Sequence, residues 1–117
     1  MKIREISDAL NANVLCSAEL LDHEVFAACG SDMMSDVLAH VKNQAVLLTG
    51  LVNPQVIRTA EMMDMRCIVF VRGKMPSDDM VALAEDSGIV LLSTAERMYT
   101  ACGKLYARGL AGDGDQS

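Results

Sequence analysis

Three stretches of the chain are apolar without alternation: AVLLTG from residue 45, CIVFVRG from 67 and IVLLST from 89, beginning twenty-two residues apart. Unbroken apolar runs of this length suit strands buried on both faces, because a strand with one wet face would alternate. Between and after them the apolar spacing changes to three and four, in Val56, Ile57, Ala60 and Met63, in Met80, Val81, Leu83 and Ala84, and in Met98, Ala101, Cys102 and Leu105. Each set falls on one face of a helix. Strand then helix, three times over, predicts parallel βαβ units with right-handed crossovers. The period lies in the leucine-rich-repeat range, but the L-x-x-L-x-L pattern is absent, which predicts an α/β layer and not a solenoid.

The first forty residues are less regular. Ile3, Ile6, Ala9 and Leu10 predict a short amphipathic helix, NANVLCS a strand, AELLDHE a connection, and VFAACGSD a second strand leading into a helix with Val37, Leu38 and Val41 on one face. Punctuation sets the later boundaries. Asn53-Pro54 and Ser77 followed by Asp78 and Asp79 read as helix starts, and Gly88 and Gly109 as helix ends. Ser93 and Glu96 of STAE read as a capping box. The acidic, Gly-rich residues 111–117 read as a disordered tail, leaving residues 1–110 as one domain. The expected architecture is a three-layer α/β/α domain with a mainly parallel sheet of about five strands and helices on both faces.

Composition makes the core aliphatic: 51% of the 117 residues are hydrophobic, yet Trp is absent and there are only two Phe and two Tyr. A domain this small gains from dimerisation, so a homodimer is expected. Among the clustered methionines, which would otherwise fill an aromatic-poor core, Met63 fits a helix's apolar face, while Met62 or Met65 is left for a subunit interface. The net charge of −6 and ten scattered basic residues argue against nucleic acid or an anionic membrane as partner. No apolar run is long enough to cross a bilayer and MKIREISDAL is not a signal peptide, which points to the cytoplasm. Cys16, Cys29, Cys67 and Cys102 show neither C-x-x-C spacing nor a nearby His pair, so reduced, buried thiols and no metal are expected.

A parallel sheet gathers its strand-to-helix loops at the carboxyl edge, where ligands bind. Here those loops supply Ser31, Asp32, Thr49, Gly50, Asn53, Arg72, Gly73, Lys74, Ser93 and Thr94, with Arg72 and Lys74 as the cations. Ser31, Asp32, Asn53 and Ser93 are equally the residue types that cap helices. A catalytic reading fails on spacing. Cys29 and His40 are separated by a predicted helix, over ~15 Å at 1.5 Å per residue. Ser31 and Ser35 lack the G-x-S-x-G turn, and Asp32 and Asp36 suit a helix's first turn, where the dipole favours them. Neither G-x-x-x-x-G-K-[ST] nor G-x-G-x-x-G is present, so no phosphoryl-transfer or dinucleotide chemistry is indicated. No catalytic residue and no cofactor is expected.

The run MKIREISDALNANVLCSAELLDHEV, with CGSDMMSDVL, the long stretch from AVLLTGLVNPQVIRTAEMMDM to DSGIVLLST, and AERMYTACGKLYARGL, resembles the DRTGG domain over about residues 1–110. It is also similar to the N-terminal domain of HPr kinase/phosphorylase and to the region beside phosphotransacetylase catalytic domains. Where the family has a Gly-Asp-Arg turn after the third strand, this chain has Thr49-Gly50 followed by LVNPQ. Where the family has Thr-Gly-Gly, it has Val71-Arg72-Gly73. Gly50 and Gly73 match in role, while the Asp and Arg do not.

The resemblance implies a regulatory or scaffolding domain, commonly dimeric, without chemistry of its own; the kinase P-loop belongs to a different domain. The expected function is a non-enzymatic regulatory module binding a small anionic metabolite or nucleotide at these loops. The alternative is a dimerisation and docking module for a larger enzyme or signalling kinase.

Overall fold

A computed structural model describes residues 1–40 and 44–112. Val41, placed by its spacing on a helix face, and residues 113–117 of the expected tail lie outside the described residues. The strands are β1 (Asn13–Cys16), β2 (Ala27–Gly30), β3 (Ala45–Thr49), β4 (Cys67–Phe70) and β5 (Val90–Ser93). The helices are α1 (Ile3–Leu10), α2 (Met34–His40), α3 (Pro54–Met62), α4 (Asp78–Ser87) and α5 (Met98–Ala107). The sheet runs β1-β5-β4-β3-β2, parallel throughout except for β1, which pairs antiparallel with β5.

The three unbroken apolar runs are the three central strands, and every residue in them is buried. Their side chains divide by parity. Leu47, Ile68, Phe70 and Leu91 pack with Met34 and Val37 of α2, Val56, Ile57 and Ala60 of α3 and Met80 and Ala84 of α4. Val46, Leu48, Cys67, Val69, Val90 and Leu92 pack with Ile3, Ile6 and Leu10 of α1 and Ala101 and Leu105 of α5. The result is the expected three-layer α/β/α domain. No helix among the described residues is long and apolar enough to cross a membrane.

Several boundaries fall where the punctuation put them. The Asn53 side chain accepts from Gln55 N (3.0 Å) with Pro54 behind it, Ser77 Oγ accepts from Met80 N (3.3 Å), and Gly88 closes α4 at φ 69°. The capping box at Ser93 and Glu96 does not form. α5 starts later, at Met98, because STAE is already engaged: Thr94 N donates to Phe70 O (3.0 Å) and its hydroxyl to Leu10 O (2.8 Å). The Glu96 carboxylate turns instead to Lys104 (2.7 Å).

A turn after α3 decides between Met62 and Met65. Asp64, at φ 55°, reverses the chain after α3 and drives Met65 into the core, where it is fully buried, so only Met62 stays on the surface. The first two residues of the expected tail are held to the sheet. Ala28 N donates to Ala111 O (3.0 Å) and Ala28 bridges to Gly112, so residues 111 and 112 lie along β2. Cys16 and Cys67 are buried, Cys29 and Cys102 half-buried, and burial pushes the Cys67 and Cys102 thiols upward in pKa.

Met65→Ala should cost about 2–5 kcal/mol of unfolding free energy, because it opens a cavity in a closed core, whereas Met62→Ala should change it by less than about 0.5 kcal/mol. Urea denaturation of the two variants checks the contrast.

Candidate functional site

Because β2, β3, β4 and β5 are parallel neighbours, their carboxyl ends and following loops share one edge. Asp32 is the hub of that edge. Its Oδ1 accepts from Gly50 N (2.7 Å) and from the Thr49 hydroxyl (3.0 Å), and its Oδ2 lies 3.8 Å from Arg72 Nη2. Thr49 is itself buried and its hydroxyl accepts from Leu51 N (3.1 Å), which fixes the rotor to donate toward Asp32.

Gly50 makes room for the cation. A Cβ there would fall 1.9 Å from Arg72 Nη2, so the guanidinium rests directly over the glycine. Arg72 reaches this place from a left-handed backbone at φ 59°, followed by Gly73 at φ 69°. Glycine tolerates that region freely, whereas a residue with a Cβ carries a cost of roughly 1–2 kcal/mol. Two left-handed positions therefore follow one another here, and this chain sets an arginine at the first of them.

The Gly50 N–H bond, aided by the Thr49 hydroxyl and the Arg72 charge, holds the Asp32 carboxyl below the usual carboxylate range against the opposing effect of its partial burial. Asp32 and Arg72 side chains are 47% and 41% exposed, so the pair is open to solvent and exchangeable.

The other expected site residues take distinct places. Ser31 Oγ accepts from Met33 N (3.0 Å), which folds the β2–α2 loop back on itself beside Asp32. Asp32 therefore lies ahead of α2, drawn to the β3–α3 loop, and does not share the helix's first turn with Asp36. Asn53 caps α3. Ser93 is buried beneath the β4–α4 loop and its hydroxyl donates to Lys74 O (3.1 Å). Thr94 is buried with its hydroxyl committed to the end of α1. The Arg72 and Gly73 N–H groups donate to Glu96 O (2.8 Å) and Thr94 O (2.9 Å), and Ser31 N donates to Leu48 O (3.0 Å). These backbone donors are spent on holding loops together, so attraction for an anion rests on the Arg72 side chain, with Lys74 exposed beside it.

Two features escaped the sequence reading. Glu96 seats Arg72 through its carbonyl, a role hidden behind its match to a capping box. On the outer face of α5 a shallow, solvent-open surface is formed by Tyr99, Cys102, Gly103 and Tyr106. The signal was there, since Tyr99 and Tyr106 are seven apart with Gly103 between them and so share a helix face. No group of three metal-ligating side chains occurs among the described residues.

Fold and edge together define a three-layer α/β domain whose parallel strands present one cluster of loops. Residues 5–107 match the DRTGG domain, and the chain belongs to that family of regulatory domains. Its fold is similar to the crystal structure of the CBS and DRTGG domains of the regulatory region of Clostridium perfringens pyrophosphatase, complexed with the activator diadenosine tetraphosphate. The TM-score is 0.73 at 14% identity, covering 99% of this chain and 52% of that one, so the chain spans about half the length of its structural neighbour. A comparison with curated proteins finds no match.

Gly50 does not use a left-handed φ, so Gly50→Ala should fold, at a cost under about 1 kcal/mol, while its methyl expels the flexible guanidinium from Asp32. A crystal structure or arginine side-chain NMR of the variant checks the displacement. Asp32→Asn should be less stable than the wild type at neutral pH. A carboxyl whose folded pKa is depressed adds stability above its unfolded value, about 3.9, and loses it as the pH falls through the folded value. The gap between the two proteins should therefore be constant above about pH 5 and close below about pH 3.9, as read by urea denaturation across pH.

Proposed function

We propose that the domain is a non-enzymatic regulatory module that binds a small anionic metabolite or nucleotide at the carboxyl edge, around Ser31, Asp32, Thr49, Gly50, Asn53, Arg72, Gly73, Ser93 and Thr94. The observation that carries this reading is Arg72, held in a left-handed conformation with its half-exposed guanidinium laid over Gly50. Strained residues persist where something other than stability retains them, and a cation presented at a sheet's carboxyl edge suits an anionic group. Ser31 and Asn53 would add hydrogen bonds, and Gly73, Ser93 and Thr94 would fix the loops. The regulatory character of the family supports binding without catalysis. The neighbour's two-domain region was solved with a dinucleotide activator, which makes nucleotides the first class to try.

In this reading the module works in the cytoplasm as a homodimer and reports to a larger enzyme or signalling kinase. The second reading, a dimerisation and docking module without a small ligand, is favoured by the outer face of α5, where Tyr99 is 91% and Tyr106 66% exposed. Exposed tyrosines around a glycine are common in contact surfaces.

A thermal-shift screen against nucleotides, phosphorylated metabolites and acyl phosphates tests the leading reading. A ligand at a hundred times its dissociation constant should add about 2.7 kcal/mol, a rise of roughly 10 °C for a domain of this size, and Arg72→Ala should abolish the rise while leaving the ligand-free melting point nearly unchanged. A flat screen, or a shift that survives Arg72→Ala, removes Arg72 from any site. For the second reading, Tyr106→Glu should convert dimer to monomer in light scattering. An unchanged mass would leave that face without a role in self-association.

A further inference from the structure

We infer that Asp32 is a built-in competitor for the anion site: its carboxylate occupies the place and the donors that an anionic ligand would take, and must swing away before the ligand binds. The inference rests on the proposed reading of the carboxyl edge as an anion-binding site, and adds how that site is regulated.

Three groups of different kinds converge on this one carboxylate: the Gly50 amide and the Thr49 hydroxyl donate to it at 2.7 and 3.0 Å, and the Arg72 guanidinium stands as a counter-charge at 3.8 Å. An amide, a hydroxyl and a guanidinium are the set that proteins assemble around phosphate or carboxylate groups. None of the three comes from Asp32's own loop. They belong to the ends of β3 and β4, while Asp32 reaches across from β2. The edge thus already holds an anion, and that anion is a side chain.

The Ser31, Leu51, Arg72 and Gly73 N–H groups all have partners within the protein, so the donors an incoming anion would contend for are those gathered around Asp32. That side chain is able to yield: it is 47% exposed, and its contact with Arg72 is long for an ion pair. Rotation about χ1 would carry the carboxylate into water without moving β2, and Arg72 would then be left facing the ligand across Gly50.

The apparent affinity of such a site is its intrinsic affinity reduced by the fraction of molecules in which Asp32 has already swung out. If that fraction is about one in ten, removing the carboxylate tightens binding by about tenfold.

The test is titration of the full chain with inorganic phosphate and with ADP, at constant ionic strength, by calorimetry. Asp32→Ala should bind both probes about tenfold more tightly than the wild type, and adding Arg72→Ala should cancel the gain. Asp32→Asn keeps an acceptor for Gly50 N and Thr49 and removes only the charge. It should show a smaller gain in the same direction, and serves if the alanine variant folds poorly. Equal or weaker binding by both variants beside measurable wild-type binding overturns the competitor role alone and makes Asp32 a ligand contact or a bystander. Absence of binding to wild type and variants alike overturns the anion-site reading and the competitor with it.

Discussion

β3, β4 and β5 leave water on both faces at once, and that constraint organises everything else in the molecule. A strand with two apolar faces cannot sit at the surface, so each face needs its own layer of helices, and each helix needs a crossover long enough to return the chain parallel. The core that results is built almost wholly from Ile, Val, Leu, Ala and Met, with Phe70 as its one buried aromatic among the described residues. Parallel strands then have their ends in common. The loop cluster carrying Asp32, Thr49, Gly50 and Arg72 is therefore a by-product of burial, available for chemistry because the core has already determined where it lies.

Within that cluster, rigidity and freedom are divided between backbone and side chains. The β4–α4 turn is pinned to the β5–α5 loop through Arg72 N and Gly73 N, and the β2–α2 loop to β3 through Ser31 N. The partly exposed side chains of the cluster are those of Asp32 and Arg72, which face each other at 3.8 Å. The chain lacks the charged turn after the third strand that the resembling motif carries, having Leu51 and Val52 there. The cation of this edge comes instead from the next loop, at a position whose left-handed backbone suits glycine better. A charge has in effect been supplied over Gly50 from the neighbouring strand.

How much of this was legible in the sequence follows from which features are local. The central strands and the starts of α3 and α4 depend on nearby residues, on unbroken apolar runs and on Asn53, Pro54 and Ser77, and they are found where the pattern put them. Long-range bonds decided the rest. Ser93 and Glu96 have the spacing of a capping box, but Thr94 is needed by the end of α1 and by β4, which delays α5 to Met98. Met62 and Met65 looked alike until the turn at Asp64 sent Met65 inward. Ala111 and Gly112 have a tail's composition yet lie along β2, an edge that would otherwise be open at Ala28. The candidate residues were named from loop position alone, and that could not show that Asp32 and Arg72 are partners, because a contact between side chains forty residues apart leaves no trace in spacing.

The two functional readings meet in one chain of contacts. Arg72 N is bonded to Glu96 O, the Glu96 carboxylate is paired with Lys104 at 2.7 Å, and Lys104 sits on the helix that carries Tyr99 and Tyr106. A physical path of this kind couples two sites only if some element along it has two arrangements, since a ligand shifts an equilibrium by no more than its differential affinity for the two states. Hydrogen-bonded backbone in the β4–α4 and β5–α5 loops offers little such choice. The Asp32–Arg72 pair does, being exposed and loosely held. If the carboxyl edge binds an anion as proposed, any signal from it to α5 would begin with that pair, because the Arg72 side chain faces that edge and its backbone N–H is bonded to Glu96 O.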